Sequence, residues 1–263
     1  MQHKQIKADS ILSKIVKKDS LFSGDYTVDP YKNCEFGCLY CDSSFDKTIY
    51  VKKNAAEILD EELSESRKGT VIVGSVHDPY QKIEKEFGLT REILKIIGKH
   101  SFNCHILTKS TLVKRDIDIL SKMKNSRVTI SLISLDKNIT GVFEKNVPSP
   151  MKRLKTVKKL NENGIKTGVA LIPILPFIVE KNLEDIIEEI KKYKAKYLVY
   201  KHLELKGDQK NCYLEVLKEF NQSLVEKYEK LYENSYKPTD EYIDKVKNKI
   251  ESLCIKNKIK NKI

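Results

Sequence analysis

The chain has 263 residues, 40% of them hydrophobic and 33% charged, which is enough apolar material for one α/β barrel or two small domains. Six cysteines, three clustered and three scattered at Cys104, Cys212 and Cys254, do not form the pattern of a disulfide framework and favour a reducing compartment. The formal net charge of +12 admits phosphate partners. However, the excess is almost wholly lysine, as an AT-rich coding sequence would also give, whereas phosphate readers favour the arginine fork.

Residues 1–25 read as a polar, partly helical lead-in without the apolar core of a signal peptide, so a cytoplasmic location is expected. The longest apolar stretch, 168–179, is too short and too interrupted by proline to span a bilayer. YTVDPY at 26–31 has β-rich character and ends at Pro30. The next stretch, CEFGCLYC from Cys34 to Cys41, therefore hangs from the C-terminal end of a strand, where barrel enzymes place their chemistry. Its spacing is CxxxCxxC, with Gly37 allowing a turn and Tyr40 directly before the last cysteine.

Three thiolates at this spacing can converge on one point. An electron-transfer iron–sulfur cluster uses four cysteines, so Cys34, Cys38 and Cys41 would leave one iron of a [4Fe–4S] cube open to a non-protein ligand. Two plainer readings stand beside this one. The run is half of a zinc site lacking its fourth ligand, for which His77 or His202 would have to serve in a basic nucleic-acid-binding protein, or it is a set of buried free thiols.

Strand and helix then alternate. Asn54 is expected to cap a helix that stops at Gly69, and Thr70 to Gly74 forms a strand. Thr90 caps REILKIIGKH, CHILTKS is a strand, and TLVKRDIDILSKM is a helix with Leu112, Ile117, Leu120 and Met123 on one face. RVTISLIS is a strand, and Ser149-Pro150 opens a helix that ends at Gly164. KTGVALIPIL, NLEDIIEEIKKY and KYLVYKHL follow as strand, helix and strand, with Pro173 and Pro176 shaping the end of the first. Six such units imply a parallel sheet with right-handed crossovers, a partial (β/α)6 TIM-like barrel at 26–205. Residues 206–263 read as amphipathic helices packed over it, with a frayed basic tail, KNKIKNKI.

DPYKNCEFGCLYC, GSVHDPYQKIEKEFGLTREIL, ILTKSTLVKRDIDIL, VTISLIS and PSPMKRL, in this order, resemble the radical S-adenosylmethionine (SAM) superfamily. The resemblance is to the branch that includes spore photoproduct lyase and is often labelled DNA repair photolyase. It runs from about Tyr26 to about Leu205. It implies that Cys34, Cys38 and Cys41 ligate a [4Fe–4S] cluster whose open iron chelates SAM, with Tyr40 beside the adenine. Reductive cleavage then yields a 5'-deoxyadenosyl radical that acts on substrate. A one-electron reductant such as flavodoxin or ferredoxin is implied, and DNA is a possible substrate.

The same resemblance places Gly74 and Ser75 by the methionine moiety, although a tight turn would explain them equally. Lys109 would pair with the SAM carboxylate, and Ser110 lies next to it at the catalytic end. Ser131 is a candidate for a ribose hydroxyl, and Arg153 for a carboxylate. Asp78, Tyr80, Gln81 and Glu84 match a segment of the branch without a derivable role. His202 and Glu204 are expected to face the substrate. Spore photoproduct lyases carry a hydrogen-donating cysteine where this chain has Ser75. A substitute donor would have to be Cys212, since Cys104 lies at the wrong barrel end and Cys254 on the apolar side of a late helix.

Overall fold

A computed structural model describes residues 2–17, 21–41 and 47–263. Its elements in chain order are β1 (Gln2–Ile6), β2 (Leu12–Lys14), β3 (Tyr26–Val28), β4 (Tyr31–Lys32), β5 (Thr48–Lys52) and α1 (Ala55–Glu65). Next come β6 (Thr70–Val73), α2 (Glu84–Phe87), α3 (Leu89–Lys99), β7 (Asn103–Thr108), a 3-10 turn (Leu112–Asp116), α4 (Ile117–Leu120), β8 (Arg127–Leu132) and α5 (Lys137–Phe143). The chain closes with α6 (Pro150–Glu162), β9 (Lys166–Ile174), α7 (Leu183–Lys192), β10 (Leu198–His202), α8 (Asp208–Asn221), α9 (Val225–Leu231) and α10 (Asp240–Asn257).

The main sheet runs β10-β9-β8-β7-β6-β3-β2. Neighbours from β3 to β10 pair in parallel and β2 pairs antiparallel at the edge. Strand order follows chain order, so each crossover moves one position along the sheet, as in a partial TIM-like barrel with six parallel strands. The strands read as near-continuous apolar runs because both faces are covered: Val71 to Val73, Ile106, Val128, Ile130, Leu132, Val169 and Leu171 are all buried. On α7, Leu183, Ile186, Ile187 and Ile190 recur at helical spacing and are buried.

Several elements depart from the sequence reading. The lead-in is stranded, not helical: β1 pairs with β5 in a small sheet of its own, order β1-β5-β4, and β2 pairs with β3. Residues 1 and 18–20 of that lead-in lie outside the described residues. Asn54 makes no capping bond, because its side-chain amide is used on both backbone groups of Ala8. Thr90 lies inside α3, where its hydroxyl donates to the Pro79 carbonyl. The expected helix from Thr111 is a 3-10 turn and a single α-turn. The basic tail is not frayed: Lys260 bridges Tyr197, its carbonyl accepts the Leu198 N–H at 2.8 Å, and Ile259 is buried.

The C-terminal helices share the barrel's hydrophobic core. Tyrosines fasten them: Tyr228 and Tyr232 stack with centroids 5.8 Å apart, and their hydroxyls donate to the carbonyls of Pro176 and Leu203 at 2.7 and 2.9 Å. Among the described residues no helix is long and apolar enough to cross a membrane.

Inside the barrel, His105 Nε2 and the Tyr197 hydroxyl each lie 2.7 Å from Thr129 Oγ1. Burial pushes the imidazole down to about 4 from 6.5. A folded-state pKa below the unfolded one means that the unfolded chain binds the proton first as pH falls, so stability is lost between about pH 6.5 and 4. Urea titrations should show the wild type losing about 3 kcal/mol more than His105→Gln over that range.

Candidate active site

The cysteine loop has few bonds of its own and is held from outside. Asn33 takes a positive φ of 69° and its side-chain amide donates to the Thr48 carbonyl at 2.8 Å. The fully buried Gln81 clamps the loop at two points, donating to the Asn33 carbonyl at 3.1 Å and accepting the Glu35 N–H at 2.8 Å. The Ile83 N–H donates back to the Glu35 carboxylate at 2.7 Å. Farther on, the Leu39 N–H donates to the Phe143 carbonyl at 3.1 Å, and Gln209 of α8 donates to the Tyr40 carbonyl at 2.5 Å. Within the loop, the Cys41 N–H reaches the Cys38 carbonyl at 3.0 Å.

Cys34, Cys38 and Cys41 line one cavity of about 170 Å³ together with Gly74, Ser75, Lys109 and Ser131. A second cavity, of about 360 Å³, shares Cys41, Ser75 and Lys109 with it and extends past Tyr40 to His202, Glu204 and Gln209. Burial pushes the Cys34 thiol up to about 12, helped by the charge of Asp78. Burial likewise raises Cys38 to about 11, against the pull of Lys109. Such thiols are neutral at pH 7 until a metal displaces their protons. Cys104 and Cys254 are buried in β7 and α10, Cys212 is exposed on α8, and none of them lines either cavity. The donor set therefore fits a group held by three sulfurs. Among the described residues no three His, Cys, Asp or Glu side chains, these cysteines included, are gathered closely enough for a single ion.

Gly74 ends β6 with φ +85°, and a Cβ there would sit 2.3 Å from Pro79 Cδ and 2.8 Å from the Leu107 carbonyl oxygen. Only glycine lets the backbone form this wall. The following turn is organised by Asp29, which accepts the Ser75 hydroxyl at 2.9 Å and the amides of Val76 and His77 at 3.2 and 3.1 Å. Asp78 ties the same turn to the end of β7, accepting the Lys109 N–H at 2.6 Å and the Thr108 hydroxyl at 2.7 Å.

Lys109 extends between the two cavities with Nζ 5.8 Å from the Tyr40 ring centroid. Burial opposes its charge, but Cys38, Glu144, Cys41 and Asp78 surround it and hold its pKa up to about 12. It stays a cation throughout the physiological range. Ser131 lines the wall of the first cavity.

Two expected ligands are committed elsewhere. Ser110 caps the 3-10 turn, its hydroxyl accepting the Leu112 N–H at 3.2 Å, and it faces a different groove. Arg153 is 1% exposed and its guanidinium is used internally, donating to Glu144 at 2.5 Å and to the Ser131 carbonyl at 2.8 Å. The fork does reach a carboxylate, but that carboxylate is the protein's own.

Glu144 is the residue that sequence reasoning missed. Its second oxygen accepts the Tyr40 hydroxyl at 2.5 Å, so Arg153, Glu144 and Tyr40 form one buried chain behind the cysteine loop. It sits just past α5, and no local signal marks it. Asp29 was likewise unremarked, although its place before Pro30 at a strand end is where turn-capping aspartates occur. Of the remaining candidates, Tyr80 donates to Asp116 at 2.9 Å and Glu84 is a fully buried partner of Arg115 and Tyr31, so both are committed to partners inside the fold.

The radical SAM superfamily model matches residues 28–190. The chain belongs to the radical SAM superfamily. Protein MJ0683 of Methanocaldococcus jannaschii is 32% identical over 249 residues, spanning 88% of this chain and 90% of that protein. Protein Rv2578c of Mycobacterium tuberculosis is 26% identical over 254 residues, spanning 89% of this chain and 75% of that one. Among solved structures, spore photoproduct lyase complexed with dinucleoside spore photoproduct superposes with a TM-score of 0.74 at 16% identity, covering 97% of this chain and 79% of that one. Streptococcus suis SuiB bound to its precursor peptide SuiA gives 0.51 at 18% identity, with 78% and 45% covered. These likenesses are of fold. Membership in the superfamily implies SAM and an iron–sulfur cluster.

Two substitutions test this geometry. Gly74→Ala forces a strained backbone against Pro79 and is expected to cost about 2 kcal/mol or more in thermal unfolding. Arg153→Met strands the buried Glu144 charge and should cost about 3–5 kcal/mol, most of it recovered in the Glu144→Gln/Arg153→Met double variant.

Proposed function

We propose that this chain is a radical SAM enzyme in which Cys34, Cys38 and Cys41 hold one [4Fe–4S] cluster. The observation that carries the reading is the meeting of three sulfurs, a glycine-built wall and one fixed cation on a single cavity. When bound, the cluster supplies the electron that cleaves SAM to methionine and a 5'-deoxyadenosyl radical, which takes a hydrogen atom from substrate.

The chain's own residues bind and orient. Lys109 offers a permanent positive charge to the methionine carboxylate, and a charge-assisted bond of this kind is strongest where water is thinned. Gly74 lets the strand-end backbone approach the ligand, and Ser75 stands next to it with its hydroxyl oriented by Asp29. The Tyr40 ring is immobilised through Glu144 and offers a flat face for the adenine. Ser131 presents a hydroxyl for the ribose. The substrate is assigned to the adjoining cavity, whose wall carries His202, with an unpartnered buried Nε2, and Glu204, held between Lys201 and Lys206.

A second reading, lesion repair of the spore photoproduct lyase type, draws on the shared architecture and the net charge of +12. It requires a thiol hydrogen donor, and Ser75 supplies only an O–H. Cys212 lies three residues past Gln209, which touches the cysteine loop, but is exposed on α8. On this second reading Cys212→Ala abolishes repair of ultraviolet-damaged DNA while still cleaving SAM; on the leading reading it changes neither SAM cleavage nor turnover of substrate.

The deciding experiment is anaerobic reconstitution with iron and sulfide, reduction, and assay of 5'-deoxyadenosine. Wild type should bind about four irons with matching sulfide and form product, whereas Cys38→Ala should not. Lys109→Met should keep the cluster but bind SAM on the order of tenfold more weakly. Retention of zinc without sulfide would overturn the assignment.

A further inference from the structure

A groove of about 660 Å³ meets the cysteine loop at Phe36 and shares no other lining residue with the two cavities described above. Five exposed lysines line it, Lys82, Lys85, Lys114, Lys145 and Lys152, and no carboxylate does. Among the described residues none of these five forms an ion pair. Its one arginine, Arg115, is already neutralised by Glu84 and Asp116. The floor includes Phe36, which is 3% exposed and is the single residue that this groove shares with the cysteine-lined cavity. The 145–148 wall also touches the loop, with Asn146 Nδ2 3.8 Å from where a Gly37 Cβ would stand.

We propose that this groove docks an acidic one-electron carrier protein, and that the electron enters across Phe36. The proposal rests on the reductive reading above, which already calls for a one-electron reductant, and adds the surface of this chain on which it docks. The carrier is oxidised by one electron, the cluster is reduced by one, and the oxidised carrier departs. SAM and substrate are assigned above to the other two cavities, which share only Phe36 with this groove, so a donor seated here would leave them open. Solvated lysines around a small concave patch suit brief, electrostatically steered encounters, which bury less area than stable complexes.

A nucleic-acid strand fits this groove less well. It would lie outside both cavities that meet Lys109, and so would present no atom to the reacting carbon. The groove has no free arginine fork, and its aromatic residues, Phe36 and Tyr80, are buried and offer no stacking face.

The test uses the reconstituted holoprotein and its Lys82→Glu/Lys114→Glu/Lys145→Glu variant, with an acidic flavodoxin as the probe. Association is followed by stopped flow at low and high salt, and SAM cleavage is driven in parallel by dithionite, which needs no docking. The variant should associate on the order of tenfold to a hundredfold more slowly at low salt, with the difference shrinking at high salt, and should cleave SAM with dithionite at the wild-type rate. Equal association rates would overturn the proposal, as would loss of affinity for a duplex oligonucleotide with flavodoxin association unchanged. Absence of dithionite-driven cleavage in both proteins would instead count against the enzymatic reading, while the association rates still decide the docking surface.

Discussion

Holding three cysteines against one cavity on a loop without regular structure is the constraint on which the rest of this molecule depends. A segment of this kind has no ladder to satisfy its amides and carbonyls, so buried partners must come from elsewhere. They come from four directions: Gln81 after β6, Thr48 at the start of β5, the Phe143 carbonyl at the end of α5, and Gln209 at the start of α8. The barrel brings the first and third of these to the same end of the sheet, and the C-terminal helices supply the last. That explains why α8 to α10 share the barrel's core instead of forming a separate unit.

Carboxylates act as the joints of this frame, Glu84 and Glu144 buried and Asp29 and Asp78 half-buried. Asp29, Asp78, Glu84 and Glu144 each accept from a backbone N–H, a hydroxyl or a guanidinium, and each joins segments distant in sequence. A buried charge of this sort costs desolvation energy that only well-placed donors offset, which ties the shape of the cavity to the integrity of the fold. Lys109 is the exception, a cation ringed by thiols and carboxylates and directed into the cavity rather than into a paired bridge. The arrangement leaves one positive charge available where an anionic ligand would bind.

How much of this could be read from the chain depends on range. The alternation of strand and helix, the cysteine spacing, the glycine at the end of β6 and the lysine after β7 are each set within a few residues, and local pattern reveals them. β1 and β2 carry no helical or alternating signal and exist because β5 and β3 offer a pairing edge. The tail pairs with Tyr197 for the same reason. Arg153 and Ser110 were expected at the bound ligand, but their side chains answer to partners that spacing cannot show, Glu144 in one case and the Leu112 amide in the other. Glu144 itself was invisible because the interaction that defines it joins residues 104 positions apart.

The account turns on one coordination position left open by a set of three cysteines and directed at the cavity that Lys109 guards. Electron–nuclear double resonance on the reduced, reconstituted protein with SAM labelled at its amino nitrogen tests this directly. The account predicts hyperfine coupling of that nitrogen to the cluster, lost in Cys38→Ala. A cluster that forms with full iron and sulfide content yet shows no coupling to the label would contradict it.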